Sequence, residues 1–401
     1  MTTQKLSPTT SIQDAEKSGG KEGFNDGSFV VEQENEPNER AIFTKRIVSK
    51  LDRRILPLLC ILYLLSYIDR SNIGNAKLDG LEEDLNMSQS EYKWSLSIFY
   101  FSYVIFDLPS NIIMRRWRPS YWLGILMFLW GTVATVMAAS TNFASLAAAR
   151  FFIGVFEAGF FPGVIYFMSL WYTRQEYGRR ISFFWSFSSL AGAFGGLIAY
   201  GISTITDDRL KTWQWLFIIE GIPTVLLAIF TAYYLPNSPE TAKFLTNEEK
   251  EFATTRLAED AGASYDHSWS WSQVISVFKD WKSYIYMAIY ITGTIALQGV
   301  TLFLPSIVSN LGTWSTPVSQ ALTTPPYFLA FLVTVAVGWS SDKFFERAYH
   351  MVITNIFALV GFLLLMFLPA SNVAGNYCAA CIVTIGVYAN VAVKVAWFNN
   401  N

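Results

Sequence analysis

The sequence predicts an all-α polytopic membrane protein, and three observations carry that prediction. Of 401 residues, 52% are hydrophobic and 16% aromatic while only 15% are charged, a balance too apolar for ordinary soluble domains. Apolar stretches of about 20 residues, the length a helix needs to cross the hydrocarbon core, recur along the chain. Lys and Arg collect in alternate connections between those stretches, as the positive-inside rule requires of membrane helices. The formal net charge of −2 gives no footing for nucleic acid.

Taken in order, residues 1–50 read as a disordered cytoplasmic tail, polar and rich in Ser, Thr, Glu, Asn and Gly, without the apolar core of a signal peptide. Lys45, Arg46, Lys50, Arg53 and Arg54 then flank the first apolar run. Ten spans follow, at 55–78, 94–114, 121–140, 144–170, 181–202, 213–235, 283–304, 321–340, 350–369 and 376–398. The longest connection, 236–281, carries a capping box at Thr246-Asn247-Glu248-Glu249 and reads as a cytoplasmic linker. It divides the chain into a bundle of spans one to six, 51–235, and a partial bundle of spans seven to ten, 282–401.

With the N-terminus inside, one side holds Arg115, Arg116, Arg118, Arg174, Arg179, Arg180, Lys243, Lys250, Arg256, Lys279, Lys282, Lys343 and Arg347. The other holds only Lys77, Lys93, Arg209 and Lys211. The glycosylation sequon Asn86-Met87-Ser88 falls on that outer side. Cys60, Cys378 and Cys381 lie in apolar stretches and read as packing residues; Cys378-Ala379-Ala380-Cys381 has redox spacing but no βαβ context. His267 and His350 stand apart, so no metal site, cofactor or enzymatic constellation is expected.

Ionisable groups inside spans are expensive and mark functional sites by default. Asp69 and Arg70 sit in the first span, Arg150 and Glu157 in the fourth, Glu220 in the sixth and Lys394 in the tenth. Residues seven apart share a helix face about 10 Å along the axis, so Arg150 and Glu157 can line one cavity. Arg70 and Arg150 suit an anion, with Asn72, Asn75 and Lys394 as further contacts, and Asp69 and Glu157 suit a proton. In this reading Arg70 pairs with Asp69, and an incoming anion that engages Arg70 frees Asp69 to take a proton. The alternative for both pairs is an internal salt bridge that only fixes packing. Glu220, beside Pro223, reads as a structural acid bonded to freed backbone.

Two ten-residue segments correspond in spacing: Asp107 to Arg116 reads D-x-x-x-N-x-x-x-R-R after span two, and Gly338 to Arg347 reads G-x-x-x-D-K-x-x-x-R after span eight. Asp107, Asn111, Arg115, Arg116, Asp342 and Arg347 lie in these two segments. Ser188, Gly192 and Gly196, four apart on span five, suit close helix contact. Trp171, Tyr172, Trp213 and Trp281 suit an interfacial aromatic belt.

The segments Tyr67-Ile68-Asp69-Arg70-Ser71-Asn72-Ile73-Gly74-Asn75-Ala76, Leu108-Pro109-Ser110-Asn111, Arg150 to Gly163, Trp215 to Pro223 and Leu235 to Thr246 resemble the major facilitator superfamily. More narrowly, they are similar to its anion:cation symporter family, in the fungal allantoate permease branch. That resemblance implies a twelve-helix fold moving small organic anions with protons by alternating access, as a monomer in the plasma membrane. It points to the same four charged positions for proton and anion handling, and it implies an inner gate at Asp107, Asn111, Arg115, Arg116, Asp342 and Arg347. Two departures stand out: Asn111 occupies a position where the family's loop motif carries an acid, and the chain ends at Asn401, before spans eleven and twelve. The second departure leads to the expectation of a truncated chain, an incomplete four-helix second bundle, and inactivity as one alternative. A non-transporting sensor of the same anion is another.

Overall fold

Helices form wherever the apolar pattern runs unbroken, and their ends fall where capping chemistry says they should. The computed structural model describes residues 27–205, 209–261, 275, 276, 278–344 and 346–398. Two compact units divide at Ile47 and Val48. A helix, α1, runs Gly27–Arg54, so the backbone is already helical inside the stretch expected to be a tail; residues 1–26 lie outside the described residues.

Val48 onward forms the membrane-embedded body. The first expected span comprises α2, Leu56–Ser71, and α3, Ile73–Leu78, with Asn72 between them. A single turn, α4, spans Leu81–Asp84. The long helix α5, Gln89–Arg116, opens on a capping box in which Ser88 Oγ accepts from the Glu91 amide at 3.2 Å and Glu91 Oε2 accepts from the Ser88 amide at 2.8 Å. Pro119 at the first position starts α6, Pro119–Val136.

The fourth span is likewise divided, into α7, Phe143–Glu157, and α8, Phe160–Ser169, with Ala158 and Gly159 at the break. Helices α9, Arg174–Ile202, and α10, Thr212–Tyr234, are the fifth and sixth spans. The expected capping box is present: Thr246 Oγ1 accepts from the Glu249 amide at 3.3 Å at the start of α11, Asn247–Ala261. Part of the expected linker, 262–274 and 277, lies outside the described residues.

Then come α12, Trp281–Ser309; α13, Thr316–Ala321; α14, Thr324–Phe344; α15, Ala348–Phe367; and α16, Val373–Phe398. Among the described residues, nine helices or helix pairs are long and apolar enough to cross a membrane. The expected first span is not one of them because the break at Asn72 leaves α2 at 16 residues.

Small residues let the helices approach closely. On α9, a Cβ at Gly192 would lie 2.7 Å from the Tyr327 ring and one at Gly196 2.4 Å from Thr323 Oγ1, so the glycine face seats α14 and its preceding turn. Phe101, Val104, Ile105 and Leu108 of α5 are exposed on the opposite side from Phe99 and Ser102, which are buried. That apolar-out, polar-in arrangement suits lipid outside and a satisfied interior. The aromatic belt is partly overturned: Trp171 and Trp213 are buried, Trp213 donating to Asp84 Oδ2 at 2.9 Å, while Trp281 is exposed. An indole in the bundle fills volume and finds one acceptor, which a single sequence cannot distinguish from an interfacial anchor.

Candidate functional site

Helices α2, α5 and α7 bring two guanidinium groups and a carboxylate into one aromatic chamber. Arg70 at the end of α2 donates to Glu157 Oε1 at the end of α7 through Nη2 at 2.8 Å and Nε at 3.2 Å. Ser66, one turn before Arg70, donates to the same oxygen at 2.6 Å. Glu157 Oε2 has no hydrogen-bond partner among the described residues. The Arg70 guanidinium carbon lies 5.7, 5.3 and 5.0 Å from the ring centres of Tyr67, Phe99 and Tyr103, a cage that suits a cation.

Arg150 lies on α7, seven residues before Glu157. Its side chain is 0% exposed and its guanidinium carbon lies 4.8 Å from the Phe99 ring centre. Nε, Nη1 and Nη2 all lack a hydrogen-bond partner among the described residues. Arg150 and Glu157 both lie on the continuous turns of α7, and Glu157 is engaged by Arg70.

The expected Asp69–Arg70 pairing is not what the structure has. Consecutive helical residues point about 100° apart, so Asp69 turns away from the chamber toward α6 and α10. There Asp69 Oδ2 accepts from Trp130 Nε1 at 3.2 Å and Thr224 Oγ1 at 3.0 Å. Glu220 is also corrected: neither carboxyl oxygen has a hydrogen-bond partner among the described residues, so it does not bond the backbone that Pro223 frees.

Asn72 and Asn75 follow on α2 and α3. Both are buried, and Asn72 Oδ1 and Nδ2 and Asn75 Oδ1 lack partners among the described residues. Lys394 of α16 is 1% exposed, with Nζ 5.3 Å from the Tyr290 ring centre and no hydrogen-bond partner among the described residues. It packs against Gly293, where a Cβ would fall 2.2 Å from Nζ.

The gate candidates divide into two groups. Asn111 Nδ2 donates to Asp107 O at 2.8 Å and Asp107 Oδ1 at 3.1 Å, both on its own helix, while Arg115 stacks over Tyr166 at 5.6 Å and Arg116 is exposed. Arg347 pairs with Asp342 at 3.3 Å and donates to the Ala396 carbonyl, and its Nη2 lies 2.7 Å from where a Gly178 Cβ would be. The second group therefore joins α14, α16 and α9, whereas the first stays within α5 and α8. Asn86 is exposed, in a left-handed turn with φ 49° that Asn tolerates.

A family model for the Major Facilitator Superfamily matches residues 59–399. The chain belongs to that superfamily. It is 35% identical over 364 residues to the MFS transporter prlL of a fungal species, covering 89% of this chain and 73% of the relative. It is 36% identical over 362 residues to the major facilitator-type transporter hxnP of Emericella nidulans, covering 89% and 73%. Among solved structures, a bacterial homologue of the human lysosomal transporter Spinster, inward-facing and unoccupied, matches with a TM-score of 0.63 at 16% identity, over 84% of this chain and 73% of that one. A D-xylose-proton symporter matches with a TM-score of 0.62 at 15% identity, over 86% and 87%. At those identities the likeness concerns the fold. This Major Facilitator Superfamily chain is thus an integral membrane transporter, from a family that does not act by enzymatic chemistry.

Reading the superfamily member by charge alone missed its polar bridges. Tyr100 OH donates to Gln298 Oε1 at 2.7 Å, linking α5 to α12. Thr301 Oγ1 and Tyr388 OH are 2.8 Å apart, Tyr67 OH lies 3.4 Å from that threonine oxygen, and Tyr327 OH donates to Thr301 O at 3.3 Å. The available signal was an amide, Gln298, alone among apolar residues of the seventh span.

Proposed function

We propose that this transporter is a secondary active carrier, of the anion:cation symporter kind, that moves a small organic anion with protons by alternating access. Arg150 carries the reading: a fully buried guanidinium whose three nitrogens meet no acceptor among the described residues is costly unless a ligand supplies the counter-charge. Its planar fork suits a carboxylate bidentately, and Arg70 lies in the same aromatic chamber. Lys394 supplies a second unpartnered cation, on α16. The name of the D-xylose-proton symporter, a fold neighbour, agrees with proton coupling.

Coupling runs through Glu157. An anion that engages Arg70 competes with Glu157 Oε1 for the same guanidinium; the released carboxylate is then better neutralised by a proton than left buried beside the new charge. Proton and anion favour each other by linkage. In this scheme Asp342 and Arg347, with Asp107, Asn111, Arg115 and Arg116, gate the cytoplasmic end. Asn72 and Asn75 line the route, and Asn86 is an outer glycosylation site. The organisation is a six-helix bundle to residue 235, a linker at 236–281 and a four-helix bundle from 282, monomeric, in the plasma membrane with the N-terminus inside, on the distribution of Arg and Lys.

The test is a thermal-shift screen of the purified full chain in lipid nanodiscs against nicotinate, pantothenate, biotin and allantoate, with Arg150→Met in parallel. One anion is expected to raise Tm of the wild type and to leave the variant unmoved. The ligand-free variant should melt no lower than the wild type, because a buried charge without an acceptor has been removed. A variant that melts several degrees lower and still shifts with the same anion makes Arg150 structural and sinks the reading.

A further inference from the structure

Behind the Arg70 chamber, α2, α6 and α10 enclose a second pair of acids. Asp69 is 4% exposed and Glu220 3% exposed. Asp69 Oδ2 accepts the Trp130 and Thr224 bonds described above, at 3.2 and 3.0 Å. Thr224 stands one turn after Glu220 on α10, and its Oγ1 is also 3.2 Å from the Glu220 carbonyl oxygen. Residues four apart share a helix face, so Glu220 and the hydroxyl that reaches Asp69 point into the same space. Electrostatically, Asp69 is the charged neighbour that acts on Glu220.

No ion pair reaches either acid among the described residues, and both Glu220 oxygens lack a hydrogen-bond donor there. Arg70, the nearest guanidinium in sequence, is held by Glu157. Across the other packed elements, Glu157 is the remaining charged group that acts on Asp69, and it is an acid too. Two carboxylates enclosed together with no cation cannot both stay ionised, since like charges in a dry space repel and each is separately costly there. The donors divide them: Asp69 receives two and is equipped to be the anion, while Glu220 receives none.

We propose that Asp69 and Glu220 hold one proton between them, as a carboxylic acid and carboxylate pair inside the first bundle, and that this pair is a proton-binding site of the carrier separate from Arg70–Glu157. In the resting arrangement the proton sits on Glu220, and the hydroxyl of Thr224 orients toward Asp69. Moving the proton to Asp69 leaves the charge on Glu220, where the Thr224 hydroxyl and the Trp130 indole no longer solvate it, so exchange with water requires α10 to shift against α2. The coupling role rests on the proposed carrier function; the shared proton does not.

The test is infrared spectroscopy of the full-length protein in lipid nanodiscs at neutral pH, which needs no substrate. The wild type should show a protonated-carboxyl carbonyl band that shifts slowly on transfer to deuterated water. Glu220→Gln should abolish it, because it removes the acid that carries the proton and leaves Asp69, with its two donors, as the anion. Thr224→Val retains both acids and should move the band, which keeps the test open where Glu220→Gln does not fold. Absence of a protonated-carboxyl band in the wild type, or a band unchanged in both variants, overturns the proposal. A wild-type band that responds to both variants, in a protein that binds no anion, upholds the shared proton and discards only the carrier reading.

Discussion

At the scale of single residues, the decisive geometry is the partner exchange between adjacent side chains. Asp69 and Arg70 are neighbours in the chain yet belong to different environments, because 100° of helix rotation sends one into the aromatic chamber and the other between α6 and α10. The sequence made both charges legible as buried and functional, but not their partners, since a partner four helices away leaves no local trace. Removing one member of a buried pair is far worse than removing both. Glu157→Gln should therefore lower stability by about 3 kcal/mol in denaturant melts, by stranding a guanidinium that is 12% exposed. The double variant Arg70→Met with Glu157→Met should lose less than either single one. Equal losses in all three would show that the pair is not coupled.

At the scale of elements, the spans were visible and their interruptions were not. Ten apolar stretches placed the long helices after residue 55 but not α1, yet α2/α3 and α7/α8 are each divided, at Asn72 and at Ala158-Gly159. Both breaks lie beside the charged residues, and the backbone stays near-helical there, with the Asn72 amide bonded to the Ile68 carbonyl and the Ala158 amide to the Gly154 carbonyl. Close packing then fixes where those charges stand. A Cβ at Gly154, between Arg150 and Glu157, would lie 2.1 Å from Ser102 Oγ and 2.3 Å from the Phe99 carbonyl. Gly154→Ala should accordingly force α7 off α5 and cost roughly 1–3 kcal/mol, read as a drop in Tm. Gly201→Ala meets nothing within 4 Å and should leave stability unchanged or raise it by up to about 1 kcal/mol through helix propensity. If both glycines respond alike, contact at α5 and α7 is not the cause.

At the scale of the whole molecule, polar bridges join segments more than a hundred residues apart. Gln320, fully buried on α13, donates to Asp79 Oδ2 at 2.9 Å and accepts from Ser203 Oγ at 2.9 Å, tying the ends of α3 and α9 together. Burial raises the Asp79 carboxyl from its ordinary 3.8 to about 6, against the opposing pull of the Gln320 bond. A raised carboxyl value means the closed contact prefers the protonated acid. Its stability is greatest below pH 3.8 and falls as the pH rises through about 6. Hydrogen exchange of residues 316–323, corrected for intrinsic rates, should thus be slower at pH 5 than at pH 7.5, about a unit either side of that value. Asp79→Asn should remove the difference; a difference that survives in the variant excludes Asp79 as its source. At the arginine-rich end, Asp52 pairs with Arg180 at 2.5 Å, Glu176 with Arg256 at 2.7 Å and Lys50 with Glu249 at 2.5 Å, joining α1, α9 and α11. Because Arg256 is only 9% exposed and also donates to the Trp171 carbonyl, Arg256→Ala should release α11, measurable as faster proteolysis within residues 247–261.

Composition, span length and the placement of charges in apolar stretches determined the membrane-spanning helical architecture, because crossing hydrocarbon imposes a length and a polarity that no local alternative satisfies. Capping at Thr246 and the small-residue face of α9 were equally plain, being local or periodic. Tertiary structure alone decided which acid met Arg70, why Glu220 meets no donor among the described residues, and that Tyr100 reaches Gln298. Those outcomes depend on helix rotation and on contacts between distant turns, and neither is encoded in the spacing of residues along one helix.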